Sequence, residues 1–215
     1  MADQLPSPAR PWHVLLVGGP SGTGKTAVSY RLAQHFKIGM TEVDDFQVLL
    51  ERMTTPEQQP VLHFWRTHPA PDQLSAEAIL EQGLLVRAVM AAGLEAVIAN
   101  HLETQTPLVL EGDFISVALA AQTSFAGLPN AGQVRAVFLY EAEERQLLAN
   151  FLEREPDQGA QVKRARVSWL YGEWVRHEAE RYGLPTVAAR PWETLFERIV
   201  AVLSSRPSPA DPPAA

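Results

Sequence analysis

The chain contains no cysteine among its 215 residues. This absence excludes a disulfide scaffold, a thiolate nucleophile, an iron–sulfur cluster and any zinc site with cysteine ligands. Positive charge is also scarce, because 18 Lys plus Arg stand against 25 Asp plus Glu, for a net charge of −7. A surface for extended nucleic acid needs an excess of cations, so the composition argues against that class of partner.

Long apolar runs are missing as well. No continuous run reaches the roughly 18 residues that a membrane-spanning helix needs, and residues 1–11 lack the apolar stretch of a signal peptide. The sequence therefore predicts no membrane partner and a cytoplasmic location, which the absence of cysteine also fits. Apolar residues make up 46% and charged residues 20% of the chain, as in ordinary globular proteins.

One folded domain is predicted at 12–205, between disordered tails at 1–11 and 206–215 that are rich in Pro, Ala and Ser. Within the domain, five short apolar runs alternate with amphipathic helical patterns. The runs predicted as strands are His13–Val17, Ile38–Val43, Pro107–Leu110, Val134–Tyr140 and Thr186–Ala189. Such alternation indicates an α/β fold of three layers, with helices on both faces of a five-stranded parallel sheet.

The longest helical pattern extends from Leu74 to about Thr104, with breaks allowed at Gly83 or Gly93. Its apolar positions recur at helical spacing, which is typical of a helix with one buried face. The preceding segment, 54–71, is rich in proline and predicted to be irregular.

The most specific motif follows the first predicted strand. Residues 19–26 have the sequence GPSGTGKT, which satisfies G-x-x-x-x-G-K-[ST], the phosphate-binding P-loop. Its glycines let backbone N–H groups turn inward around a phosphate, and the next helix adds its positive end. The residues predicted to bind nucleotide here are Gly19, Pro20, Ser21, Gly22, Thr23, Gly24, Lys25 and Thr26. Lys25 is also predicted to act in catalysis on the β- and γ-phosphates, and the Thr26 hydroxyl to ligate Mg²⁺.

Carboxylates follow two of the predicted strands. Asp44 and Asp45 come after the second strand, and Glu111 and Asp113 come after the third. Ligands of parallel α/β sheets bind beyond the carboxyl ends of the strands. We therefore predict that Glu111 holds Mg²⁺, that Asp44 accepts the proton of an attacking hydroxyl, and that Asp44, Asp45 and Asp113 contact substrate. For each residue a helix N-cap or a solvated loop carboxylate is the alternative.

A group of cations flanks the polar break between two later helical patterns. Arg154 and Arg164 are predicted to be catalytic, because a helical lid at about 154–166 would bring them onto the transferred phosphoryl group. Arg154 is also predicted to bind nucleotide, and a solvated helix face is the alternative for both. Arg66 is predicted to contact substrate. Trp192 is predicted to pack on an adenine ring, with a place in the core as the alternative.

Together these motifs resemble the P-loop small-molecule kinases, which include adenylate-type kinases, shikimate kinase and chloramphenicol phosphotransferase. The GG-x-SGTGK-[ST] loop and Leu110-Glu111-Gly112 look most like 2-phosphoglycerate kinase-like proteins, over roughly residues 12–204. That family commonly has a histidine where Asp113 and Phe114 stand here. The resemblance implies a lid, ATP and Mg²⁺ as cofactors, and a small hydroxyl or phosphate acceptor. It also implies that Asp44 matches the acidic residue beside the acceptor.

The sequence thus predicts an ATP-dependent kinase whose acceptor is a metabolite, nucleoside or antibiotic. The alternative is a nucleotide-binding switch or regulatory ATPase without a small acceptor, signalling through the helix at 74–104. A kinase of a sugar nucleotide or of a nucleic-acid end is a third interpretation, and the acidic net charge disfavours a polynucleotide acceptor. The oligomeric state stays open, with a homodimer among the alternatives.

Overall fold

The computed structural model describes residues 10–204, so the predicted tails lie outside the described residues except for Arg10 and Pro11. Its seven strands are β1 (Val14–Gly18), β2 (Gly39–Glu42), β3 (Leu108–Glu111), β4 (Ser124–Phe125), β5 (Leu128–Pro129), β6 (Val134–Tyr140) and β7 (Thr186–Ala188). Its eight helices are α1 (Lys25–Phe36), α2 (Val43–Met53), α3 (Phe64–Thr67), α4 (Ala76–Glu103), α5 (Val117–Ala120), α6 (Glu144–Arg154), α7 (Val162–Arg181) and α8 (Leu195–Ser204).

The main sheet has the strand order β2-β3-β1-β6-β7, and all of its pairs are parallel. Strand β1 is central, so the loop that follows it opens at the middle of the carboxyl edge. Val17 of β1 and Glu42 of β2 are both level with Glu111 of β3. The ends of three strands therefore meet beside the P-loop.

Alternate residues of each strand pack into opposite layers. In β1, Val14 and Leu16 join the cluster formed with α4 and α7, whereas Leu15 and Val17 join the cluster formed with α1 and α8. Burial of both faces explains why this strand is a continuous apolar run in the sequence. The predicted three-layer α/β fold with a five-stranded parallel sheet is thus confirmed.

Helix α4 is continuous through Gly83 and Gly93, so neither glycine breaks it. It has 28 residues, and an 18-residue window within it has a mean hydropathy of 1.5. Among the described residues it is the one helix long and apolar enough to cross a membrane, by length and composition alone. Charged residues interrupt its apolar sequence, which is why no continuous run marks it. Its buried residues, including Met90 and Leu94, pack on the sheet, as expected for a helix in an outer layer of this fold.

Two local features differ from the sequence prediction. Strand β2 ends at Glu42 and helix α2 begins at once, so Asp44 and Asp45 lie in the first turn of a helix rather than in a loop after a strand. Carboxylates are favoured there because they face the positive end of the helix dipole. The short antiparallel pair of β4 and β5 was not predicted, since two-residue strands carry no alternating pattern.

Candidate active site

The loop between β1 and α1 has a shape that requires glycine. Gly19 has a φ of +131°, and a Cβ there would lie 2.3 Å from the carbonyl oxygen of Leu139. Gly22 has a φ of +87°, and a Cβ there would lie 2.9 Å from the ring of Phe151. The loop backbone therefore rests directly on β6 and α6, in conformations that side chains would prevent.

Hydrogen bonds close the loop from within and from α6. The hydroxyl of Thr23 donates to the Pro20 carbonyl at 2.8 Å, and Asn150 donates to the Gly22 carbonyl at 2.9 Å. Gly24 is the N-cap of α1 and provides no side-chain cap, and the first turn holds no acidic residue. An uncapped helix N-terminus behind a glycine-rich loop is an arrangement that binds phosphate.

The side chain of Lys25 is buried and folds back across the loop. Its Nζ donates to the Pro20 carbonyl at 2.9 Å and to Oδ1 of Asp113 at 2.6 Å. Charge-assisted bonds of this kind are short and strong. A phosphate entering the loop would have to compete with Asp113 for this ammonium.

Thr26 and Glu111 supply the oxygen atoms suited to a metal. The Thr26 hydroxyl donates to Oε1 of Glu111 at 2.7 Å, while Oε2 of Glu111 is buried without a hydrogen-bond partner. Burial raises the pKa of Glu111, against the opposing effect of the Thr26 bond. An orphaned carboxylate oxygen beside a hydroxyl fits Mg²⁺, which prefers oxygen ligands. The described residues hold no cluster of three His, Cys, Asp or Glu side chains for a metal, so water and phosphate oxygens would complete its shell.

Asp44 reaches the turn after β3. Its Oδ1 lies 3.0 Å from the position that a Cβ on Gly112 would take. The residue is exposed to solvent, yet protein atoms displace much of the water around its carboxyl group. This desolvation and the negative charge of Asp113 raise the pKa of Asp44 to about 6, against the opposing charge of Lys25. Such a carboxylate is a better proton acceptor than an ordinary aspartate.

Sequence analysis missed two residues of this site, Arg87 of α4 and Tyr171 of α7. The Nε atom of Arg87 donates to the Asp113 carbonyl at 2.7 Å, and the Tyr171 hydroxyl donates to the same carbonyl at 3.0 Å. The guanidinium carbon of Arg87 lies 3.6 Å from the centroid of the Tyr171 ring. The signal that could have identified Arg87 is its place next to Val86, on the apolar side of a helix, where a charged residue is unusual.

The two predicted lid arginines lie in different surroundings. Arg164, in the first turn of α7, donates to the Ser21 hydroxyl at 3.4 Å and stacks 4.4 Å from the centroid of the Phe151 ring. Arg154, at the end of α6, has no such bond to the P-loop among residues 10–204. Glu155 accepts from Arg154 at 2.7 Å and from Arg164 at 2.8 Å. One carboxylate therefore holds both arginines.

The remaining predicted residues lie further from this cluster or contact it at its edge. Trp192 borders the P-loop, because its Nε1 lies 3.9 Å from the position of a Cβ on Gly24, and the Arg190 guanidinium carbon stacks 3.8 Å from its ring centroid. Asp45 and Arg66 are exposed on α2 and α3. Neither forms a hydrogen bond or ion pair with a site residue in the described part of the chain, so their roles stay predictions.

Comparison with known proteins identifies relatives by structure only. No family model matches the chain, and no curated protein sequence matches it. A sugar kinase from Janibacter sp. HTCC2649, solved without ligand, is similar with a TM-score of 0.51 and 16% identity, over 91% of this chain and 100% of that one. Shikimate kinase from Acinetobacter baumannii in complex with shikimate has a TM-score of 0.49 and 14% identity, over 94% and 100%. A gluconokinase from Sinorhizobium meliloti 1021 has a TM-score of 0.48 and 17% identity, over 91% and 94%.

At these identities the likeness concerns the fold. The narrower resemblance to 2-phosphoglycerate kinase-like or chloramphenicol phosphotransferase-like proteins is tested by none of these structures and stays a prediction. The chain shares its three-layer α/β fold with the sugar kinase.

Proposed function

We propose that the protein is an ATP-dependent kinase that transfers the γ-phosphoryl group to a small-molecule acceptor. The observation that carries this proposal is the position of Asp44. An exposed carboxylate with a pKa of about 6 lies near Asp113, whose own carboxylate binds the P-loop lysine. A nucleotide switch needs the P-loop, but it does not need a proton acceptor at that place.

Binding of ATP begins with the loop at 19–26. Its backbone N–H groups and the uncapped start of α1 would hold the phosphates, and the Lys25 ammonium would leave Asp113 for the β- and γ-phosphate oxygens. Thr26 and the buried Glu111 would hold Mg²⁺. When bound, that ion offsets the negative charge of the phosphates.

Transfer then requires a nucleophile. The Asp44 carboxylate would accept the proton of the acceptor hydroxyl as its oxygen bonds to the γ-phosphorus. The bond from that phosphorus to the bridging oxygen breaks, and its electron pair remains on the β-phosphate of ADP. Because Asp44 is exposed to solvent, it can return the proton to water afterwards.

Charge that spreads over the transferred group needs cations near it. Arg164 is the arginine that already contacts the P-loop, through Ser21, so we assign it the stabilising role. Both arginines donate to Glu155, so either would reach the transferred group only by leaving that carboxylate.

The test is ADP formation with and without pooled small acceptors that carry a hydroxyl. We expect ADP formation to depend on the acceptor, and Asp44→Asn to lower turnover by roughly a hundredfold or more while nucleotide affinity is retained. Glu51→Gln, on the same helix and bonded to Gln47, is the matched control. Hydrolysis that ignores every acceptor, or full turnover in Asp44→Asn, would contradict the proposal.

A further inference from the structure

Arg87 is a buried cation whose charge has no carboxylate partner. Only 8% of the residue is exposed. A guanidinium has five N–H donors; the Nε of Arg87 donates to the Asp113 carbonyl, and its side chain also bonds to the Tyr171 phenol, but no carboxylate within residues 10–204 forms an ion pair with it. Burying an unpaired charge is costly, and a stacked ring and one carbonyl offset only part of that cost. The terminal nitrogens therefore retain N–H donors for an anion that residues 10–204 do not supply.

The position of the guanidinium is set before any ligand arrives. Its stacking on Tyr171 and its bond to Asp113 fix the plane of the group. Gly83, one helical turn earlier, makes room for it, because a Cβ there would lie 2.7 Å from NH1 of Arg87. Burial raises the pKa of Tyr171, so its phenol stays neutral and does not act as the missing anion.

The neighbouring carboxylates do not act as that anion either. Asp113 directs its carboxylate to Lys25 and only its carbonyl to Arg87. Asp44 is close enough for the positive charge of Arg87 to lower its pKa, yet the two form no ion pair in the described part of the chain. Within residues 10–204 Arg87 is thus bonded to the backbone of Asp113, the residue whose carboxylate binds the P-loop lysine, and forms no ion pair of its own.

We propose that Arg87 binds an anionic group, a carboxylate or a phosphate, on the acceptor molecule. This inference rests on the proposed function and specifies its substrate class: a compact hydroxyl compound that carries a negative charge. The planar guanidinium fork suits either group, since both accept two parallel hydrogen bonds. A single residue, Asp113, connects the lysine of the phosphate loop to Arg87. The short span favours an acceptor whose hydroxyl and anionic group are a few bonds apart.

The first experiment measures thermal stability with the P-loop saturated by Mg²⁺ and a non-hydrolysable ATP analogue. Inorganic phosphate, acetate and chloride are added separately at equal ionic strength. We expect phosphate or acetate to raise the Tm above the chloride baseline by mass action, and the larger response distinguishes a phosphate ester from a carboxylate. Arg87→Met should lose the response. Arg176→Met, which removes an exposed α7 arginine paired with Glu173, should keep it.

A second variant tests the inference even if Arg87→Met does not fold. Gly83→Ala keeps the charge and favours the helix, but its Cβ would displace NH1 of Arg87. We expect it to weaken the anion response while leaving nucleotide binding intact. An equal response in wild type, Arg87→Met and Gly83→Ala, or no response above chloride in wild type, would overturn the inference.

Kinetics separates this inference from the proposed function. Acceptor pools are divided into neutral polyols and nucleosides, hydroxy acids, and phosphate monoesters. We expect turnover with an anionic pool, and a rise in acceptor KM of roughly 30-fold or more in Arg87→Met with the KM for ATP unchanged. Turnover of a neutral acceptor that ignores Arg87→Met, or a rise in the KM for ATP instead, would refute the anion site and leave the kinase intact. A response to anions without turnover in any pool would refute the kinase alone.

Discussion

The Nζ atom of Lys25 lies 2.6 Å from Oδ1 of Asp113, although the two residues are 88 positions apart in the chain. Strands β1 and β3 are neighbours in the sheet, so the loops that follow them meet at its carboxyl edge. Without nucleotide, the positive charge of the phosphate loop is therefore already neutralised by a carboxylate. The affinity of the loop for nucleotide should therefore depend on this ion pair.

Asp113→Asn removes the competitor for the loop lysine. We expect the Kd of a non-hydrolysable ATP analogue to fall by about threefold to tenfold, because the ammonium no longer has to leave a carboxylate that is only partly exposed. Calorimetric titration without acceptor measures this, and Lys25→Met should abolish the binding. Weaker binding by Asp113→Asn would mean that this carboxylate supports the nucleotide rather than competes with it.

Thr26→Val preserves the shape of the side chain and removes its hydroxyl. Since that hydroxyl and Glu111 are the proposed metal ligands, we expect the Mg²⁺ concentration for half-maximal rate to rise by about tenfold or more. Thr104→Val is the control, because the Thr104 hydroxyl donates to the carbonyl of Asn100 at the end of α4. An unchanged Mg²⁺ dependence would remove Thr26 from the metal site.

Asp44 gives the reaction a defined pH dependence. Its pKa is about 6 and its ionised form accepts the proton, so the rate at low acceptor concentration should rise with pH and level off above about 7. A pH profile of kcat/KM for the acceptor measures this. A rate that is flat between pH 5 and pH 8, with binding intact, would exclude Asp44 as the base.

The same carboxylate should limit stability at neutral pH. Its pKa rises from 3.8 in the unfolded chain to about 6 in the folded protein, so folding favours the protonated form. As the pH rises from about 4 to about 6, the unfolding free energy of wild type should fall relative to that of Asp44→Asn. Below this pH range the two unfolding free energies should differ least. Thermal unfolding at pH 4, 5, 6 and 7 measures the difference, which should be constant if the pKa of Asp44 is ordinary.

The two lid arginines should differ in effect. Arg164 contacts the P-loop through Ser21 and Arg154 does not, so Arg164→Ala should lower kcat by about a hundredfold or more, and Arg154→Ala by less. Comparison of kcat at saturating ATP and acceptor decides between them. Equal losses would place both arginines on the transferred group.

The phosphate loop should tolerate no side chain at its first glycine. In Gly19→Ala the added Cβ would meet the carbonyl of Leu139, whereas Gly127 also has a positive φ but open space around it. Gly127→Ala should therefore cost roughly 1–2 kcal/mol of unfolding free energy, and Gly19→Ala clearly more. Denaturant titration of both variants measures the loss of unfolding free energy. Equal losses would show that the contact with the Leu139 carbonyl adds nothing to the cost of the positive φ.

The sequence predicts the parts of this molecule that local patterns encode. The apolar run of β1 and the glycines after it identify the P-loop, because strand burial and backbone freedom depend on neighbouring residues. The order of the strands in the sheet could not be predicted in this way, because β1 pairs with β3 and β6, which are distant in the chain. Burial of both faces makes the strands alike in pattern, so their order has no local signature.

Arg87 shows why the site was predicted only in part. Its bonding partner Asp113 and its stacking partner Tyr171 come from a strand end and a helix that follow much later in the chain. No spacing rule links such positions before the fold is known. Asp44 was identified by its place near a strand end, but its raised pKa depends on Asp113 and on the surrounding protein.

Helix α6 limits how the segment above the phosphate loop can move. Phe151 packs against Gly22 on one side and under Arg164 on the other, and Asn150 bonds to the Gly22 carbonyl. Because of these contacts, a movement of the end of α6 would also move the P-loop. We therefore expect any rearrangement on nucleotide entry to fall in the stretch at 155–161, which connects α6 to α7, rather than at the end of α6.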